Sequence, residues 1–188
     1  MIENRRLQVL IAVLPTAALI PSVTTPLGTY RPAVEIAHYF QALALLRDGL
    51  ESYTYLTPAE SSGGLHIHSL LSTPLLAAGV RPAGRIVSLV AAAVAVLMLI
   101  MLVSRLLSPA SGLLAGAFLW AHPLFLRFSS TWVPYILSVS LTIGALLGAV
   151  LWVTTQHRRW YVVSLGLLSV GIFNHTWEAS IMLPIAVL

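Results

Sequence analysis

Long apolar runs, separated by short polar breaks that hold single or paired arginines, set the pattern of this chain. Between Arg85 and Arg105, the nineteen residues 86–104 carry no charge and include VAAAVAVLMLIMLV. At about 1.5 Å of rise per residue, such a helix is roughly 28 Å long, the thickness of a hydrocarbon core. Residues 135–155 give a second full-length run that begins just after Pro134, a residue suited to the first turn of a helix. Residues 7–23 form a first run behind the basic start MIENRR. No small-x-small site precedes a soluble domain, which favours an uncleaved span over a signal peptide. Shorter runs at 112–126 and 160–173 also read as spans. His122-Pro123 lies near the end of the former, where the proline disfavours helical backbone at the histidine. A last run, 179–188, stops before it has crossed, and the expectation from it is a fragment or a truncated gene product.

Residues 24–82 lack any such run and form a long first loop. Within it, 33–50 is helical by period: Ile36, Tyr39, Phe40, Leu43, Leu46 and Leu50 fall on one arc, with Glu35, His38, Gln41 and Asp48 on the other. The expected placement is along a membrane surface, apolar arc toward lipid and polar arc toward water. Gly49 supplies the C-terminal stop. Residues 53–64 carry Pro58, serines and glycines and read as a loop; 66–78 reads as a second short helix, leading to a turn at Gly79 and Pro82.

Composition agrees with a bilayer as solvent. The 188 residues are 58% hydrophobic and only 9% charged, with a mean hydropathy of +0.90, where a soluble chain has about a quarter of its residues charged. All ten cationic residues are arginine, giving a formal charge of +4. They stand at the ends of apolar runs as membrane anchors do, which argues against a nucleic-acid partner. Zero cysteines exclude disulfides, thiol nucleophiles and cysteine metal sites. The expected fold is an all-α, polytopic transmembrane helix bundle, a single domain over 1–188, whose long first outer loop carries amphipathic interfacial helices.

Charge fixes the expected orientation. With the N-terminus cytoplasmic, Arg5, Arg6, Arg105, Arg158 and Arg159 are inside, and the short outer loops hold only Arg127. Five of the six acids, Glu35, Asp48, Glu51, Glu60 and Glu178, then collect outside, near His38, His66, His68 and His175. A membrane protein that gathers its few carboxylates and imidazoles on one face has concentrated its chemistry there.

After the first span comes EIAHYFQALALLRDG (35–49), then HIHSLLSTPL (66–75), then Arg85 opening the next span, then AHPL (121–124). In this order the features resemble the polytopic GT-C glycosyltransferases, the group of dolichyl-phosphate-mannose protein mannosyltransferases and aminoarabinose lipid A transferases. The family commonly has Asp-Glu at the start of its first outer helix where this chain has Val34-Glu35, so Glu35 takes the aspartate's place one position later, with Asp48 and Glu51 in reserve. The resemblance implies transfer of a sugar from a polyprenyl-phosphate donor to a protein, lipid or glycan acceptor at the outer membrane face.

That chemistry needs a carboxylate to take the acceptor hydroxyl's proton, a role that falls to Glu35. It also needs cationic donors for the leaving phosphate, for which Arg85 leads and Arg31 and Arg127 follow. An interfacial anchor is the competing role for Arg85. His38, Asp48, Glu51, His66, His68, His175 and Glu178 are further candidates to line the donor or acceptor site. His66 and His68 would chelate a divalent metal only on extended backbone, since helical positions two apart diverge, so no metal or other cofactor is assigned. In Asn174-His-Thr176 the glycosylation acceptor pattern is discounted for its frequency, and Asn174 or Thr176 is expected to start the next helix. Two other classes compete with the enzyme: a transporter, which would place ionisable groups at mid-membrane, and a non-catalytic subunit of a membrane assembly.

Overall fold

A computed structural model describes residues 2–23, 32–49 and 67–174. Every regular element among them is α-helical. In chain order these are α1 (Ile2–Val23), α2 (Pro32–Asp48), α3 (Ile67–Ala77), α4 (Ala83–Leu106), α5 (Pro109–Ala121), α6 (Pro123–Ser129), α7 (Tyr135–Thr155) and α8 (Arg158–Asn174).

Among the described residues, three stretches are long and apolar enough to cross a membrane: Arg5–Val23, Ala83–Leu106 and Tyr135–Thr155. The span expected at 112–126 is not one helix. It breaks at His122, whose backbone is extended (φ −72°, ψ 120°), and α5 and α6 meet at a bend of 71°. Pro123 accounts for the break: its ring disfavours helical backbone at the preceding residue, and it then opens α6 at a first-turn position that needs no N–H donor. Counted as one broken span, the pair raises the total to four. α8 covers the run at 160–173 but with 17 residues is shorter than the other three. Residues 179–188 lie outside the described residues.

α4 is the central helix and touches α1, α3, α5, α6 and α7. Its Ala91, Ala92, Ala95, Val96 and Ile100 are buried, while Leu10, Leu14 and Ile20 of α1 and Leu114 and Phe118 of α5 face outward. Apolar outer faces of this kind suit a hydrocarbon solvent. Two glycine pairs spaced by four lie at helix contacts. A Cβ at Gly112 would stand 2.5 Å from the Ile100 carbonyl oxygen, and one at Gly116 2.6 Å from Ile100 Cγ1, so α5 lies directly on α4. Gly148 does the same for α7 against α8, where an added Cβ would stand 3.2 Å from the Trp160 carbonyl oxygen and the Ser164 hydroxyl donates to the Ala145 carbonyl at 2.7 Å, while Gly144 meets side-chain ends of Leu167 on α8 and Met98 on α4. Small residues are the contact surface when lipid supplies no hydrophobic drive between helices.

The turns sort the polar residues by end. α4 to α5 and α7 to α8 reverse through two residues each, 107–108 and 156–157. Exposed Arg5, Arg6, Arg105, Arg158 and Arg159 therefore share one end of the bundle. The opposite end holds the C-terminus of α1, the N-termini of α4 and α7, and the C-terminus of α8, with α2 and α3 packed on each other there.

α2 forms as the period requires and stops at Gly49, whose φ of 67° only glycine adopts without strain. Its apolar arc faces outward at Ile36, Phe40 and Leu46, as a lipid-facing side would, and Asp48 on the polar arc is exposed. The departure is at Glu35 and Gln41, polar-arc residues that are buried and meet partners inside the protein instead of water.

Candidate functional site

The first turns of α2 and α4 each carry one charge, and the fold brings the two into contact. Arg85 Nε donates to Glu35 Oε1 at 3.0 Å and Nη2 donates to Oε2 at 2.9 Å, a two-pronged guanidinium–carboxylate pair. Both side chains have zero exposure. Arg85 Nη1 donates to the carbonyls of Ser22 and Val23 at 3.1 and 3.4 Å. These belong to the last turn of α1, where carbonyls lack helical partners and the helix dipole is negative, so a cation is stabilised there. Glu35 Oε1 also accepts the backbone N–H of Trp132 at 2.9 Å, from the segment between α6 and α7. The pair thus joins four parts of the chain.

The Trp132 ring closes the site on the α2 side. It is fully buried with Ala42 and Ala83, meets Tyr39 edge to face at 5.4 Å between centroids, and lies over Gly84 so closely that a Cβ there would overlap its indole. Its indole N–H has no hydrogen-bond partner among the described residues.

A second polar group sits beside the pair. His68, buried on α3, places Nε2 2.9 Å from Ser88 Oγ, one turn beyond Arg85 on α4. Ser88 gives its own hydrogen to the Thr131 carbonyl at 2.7 Å, so the imidazole Nε2–H is the donor to Ser88. The His68 backbone N–H donates to Asn174 Oδ1 at 3.1 Å. The Asn174 amide in turn donates to the Pro134 carbonyl at 3.0 Å and to Ser138 Oγ at 2.7 Å. Asn174 is the last residue of α8, and its buried amide nitrogen is taken up by partners within the protein. On the α2 flank, Gln41 Oε1 accepts from the Ser69 hydroxyl at 2.8 Å and lies 3.3 Å from Nδ1 of half-buried His38.

Of the residues singled out in the sequence, Glu35, Arg85, His38 and His68 lie in this connected polar end. Asp48 does not: thirteen residues along α2 from Glu35, it is about 20 Å away along the axis, and it is exposed beside Arg47 at 3.3 Å. Arg127 stands exposed on α6. Arg31, Glu51, His66, His175 and Glu178 lie outside the described residues. Among the described residues no group of three or more His, Asp or Glu is placed to hold a metal ion.

No family model matches this chain, and neither a curated protein nor a solved structure matches it. The polar end therefore has to be read from its own chemistry. Ser88 and the Trp132 backbone were not singled out by the sequence, and Gln41 and Asn174 were named there only for helix facing and capping. Ser88 carried a signal, a hydroxyl one turn from Arg85 in a charge-free run, but a backbone N–H carries none.

Proposed function

We propose that the chain is an integral-membrane glycosyltransferase that moves a sugar from a polyprenyl-phosphate donor to an acceptor hydroxyl at the polar end of the bundle. One observation carries the reading: a carboxylate and a guanidinium, the two groups such a reaction needs, are held together where α1, α2, α4 and the Trp132 segment converge. The acceptor oxygen attacks the anomeric carbon and its proton passes to Glu35. The anomeric C–O bond breaks, and the phosphate leaves with the electron pair toward Arg85. Exposed arginines gathered at the opposite end support a cytoplasmic N-terminus and a polar end on the outer side.

The test is transfer of labelled mannose, glucose or aminoarabinose from polyprenyl phosphate by the chain in proteoliposomes. Turnover that disappears in Glu35→Gln at equal insertion is the expected result; turnover that persists removes Glu35 as the base. The non-catalytic subunit remains as a second reading because both charges are fully buried and satisfy each other. It predicts that no donor is turned over by a well-folded protein, and that loss of either charge costs stability alone.

A further inference from the structure

As a general base Glu35 is occupied, and as a phosphate ligand Arg85 is occupied, each by the other. The arrangement of donors around Arg85 says how this resolves. A guanidinium offers one edge, Nε with one Nη, that fits two oxygens of a carboxylate or of a phosphate, and that edge serves one anion at a time. Here Nε and Nη2 form the edge held by Glu35, while Nη1 is anchored separately on the carbonyls of Ser22 and Val23. The anchor belongs to α1, not to α2, so the guanidinium keeps its position when the partner on its edge changes. Glu35 likewise has a donor that is independent of Arg85, the Trp132 N–H.

We infer that Arg85 exchanges anions: a phosphate group displaces Glu35 from the Nε–Nη2 edge, and the displaced carboxylate, still held by the Trp132 N–H, is the form that accepts a proton. This rests on the glycosyltransferase reading for its consequence, not for its geometry. Neither charge tolerates being left unpaired in a buried site. The pair therefore opens when another anion arrives, and Glu35 is kept from acting as a base until the phosphate is seated. The exchange makes and breaks only hydrogen bonds and ionic contacts. The phosphate reaches Arg85 either as a lipid headgroup or from water, and the chemistry recognised is the same.

The experiment is equilibrium binding of undecaprenyl phosphate, and separately of inorganic phosphate, to the full chain in nanodiscs. If the carboxylate competes for Arg85, removing its charge raises the competent fraction, so Glu35→Gln is expected to bind undecaprenyl phosphate about tenfold more tightly than the wild type. Arg85→Lys, which loses the fork, is expected to bind about tenfold more weakly. Should Glu35→Gln fail to fold, Glu35→Asp keeps the charge but shortens its reach and is expected to tighten binding by a smaller factor. Affinity that is unchanged or weaker in the folded Glu35 variant overturns the exchange. Tightening for inorganic phosphate as well as for the lipid supports the exchange and assigns the site to phosphate in general. Sugar transfer by the wild type without tightening in the variant sinks the exchange and leaves the enzyme reading; tightening without any transfer does the reverse.

Discussion

Glu35 and Arg85, fifty residues apart in the chain, are paired through two hydrogen bonds of 3.0 and 2.9 Å with neither side chain exposed. Breaking a buried pair from one side is costly because the remaining charge stays where water cannot reach it. The geometry around this pair determines what neighbouring substitutions do.

Gly84 and Gly166 are both helical glycines, and they should respond oppositely to alanine. A Cβ at Gly84 overlaps the Trp132 indole, whereas one at Gly166 meets nothing within 4 Å. Gly84→Ala is expected to cost about 1–3 kcal/mol by forcing Trp132 away from its place beside Glu35. Gly166→Ala is expected to gain about 0.5–1 kcal/mol from helix propensity. Thermal unfolding in a mild detergent distinguishes the two, and equal effects would rule out the packing described for Trp132.

Asn174 joins α3, α7 and α8 through three hydrogen bonds from one buried amide. Asn174→Asp keeps the shape but turns the donating nitrogen into an oxygen facing the Pro134 carbonyl. A loss of roughly 1–3 kcal/mol is expected, more if the new group ionises. Mass measurement of the protein from a glycosylating host should show no glycan at this position.

Gly112 is less forgiving than Gly144. A Cβ added at Gly112 stands 2.5 Å from the Ile100 carbonyl oxygen, and backbone cannot yield, whereas one at Gly144 meets the side-chain ends of Leu167 on α8 and Met98 on α4 at 3.0 Å. Gly112→Ala should lower the melting temperature markedly and Gly144→Ala only slightly.

Gln156 ends α7 in the left-handed region at φ 56°. Glycine adopts that conformation without a Cβ penalty, so Gln156→Gly is expected to stabilise by up to about 1 kcal/mol. The melting temperature in detergent checks this, and a decrease would mean that the Gln156 amide contact to the Val153 carbonyl at 2.9 Å outweighs the backbone strain.

The long helices were legible because run length alone decides them: α4 and α7 begin and end within three residues of the charge-free stretches at 86–104 and 135–155. Proline chemistry at 122–123 also signalled the break between α5 and α6, although the stretch 112–126 reads as one apolar run. The period of α2 and the outward facing of its apolar arc were legible, but the burial of Glu35 and Gln41 was not. Placing a polar arc toward water assumes that water is the best partner available, and Arg85 and Ser69 offer better ones from other helices. The glycine pairs at 112/116 and 144/148 were present in the sequence, yet hydrophobic periodicity gives glycine no weight, and their meaning emerged only from the helices they bring together.

A double-mutant cycle of Glu35→Ala and Arg85→Ala, followed by unfolding in detergent, tests most directly whether these two residues form the centre of the polar end. Each single change is expected to cost about 3–5 kcal/mol, because it strands a buried charge. The double change is expected to cost less than the sum by about 2 kcal/mol or more. Costs that simply add would show that the two residues do not meet, and would contradict the site described here.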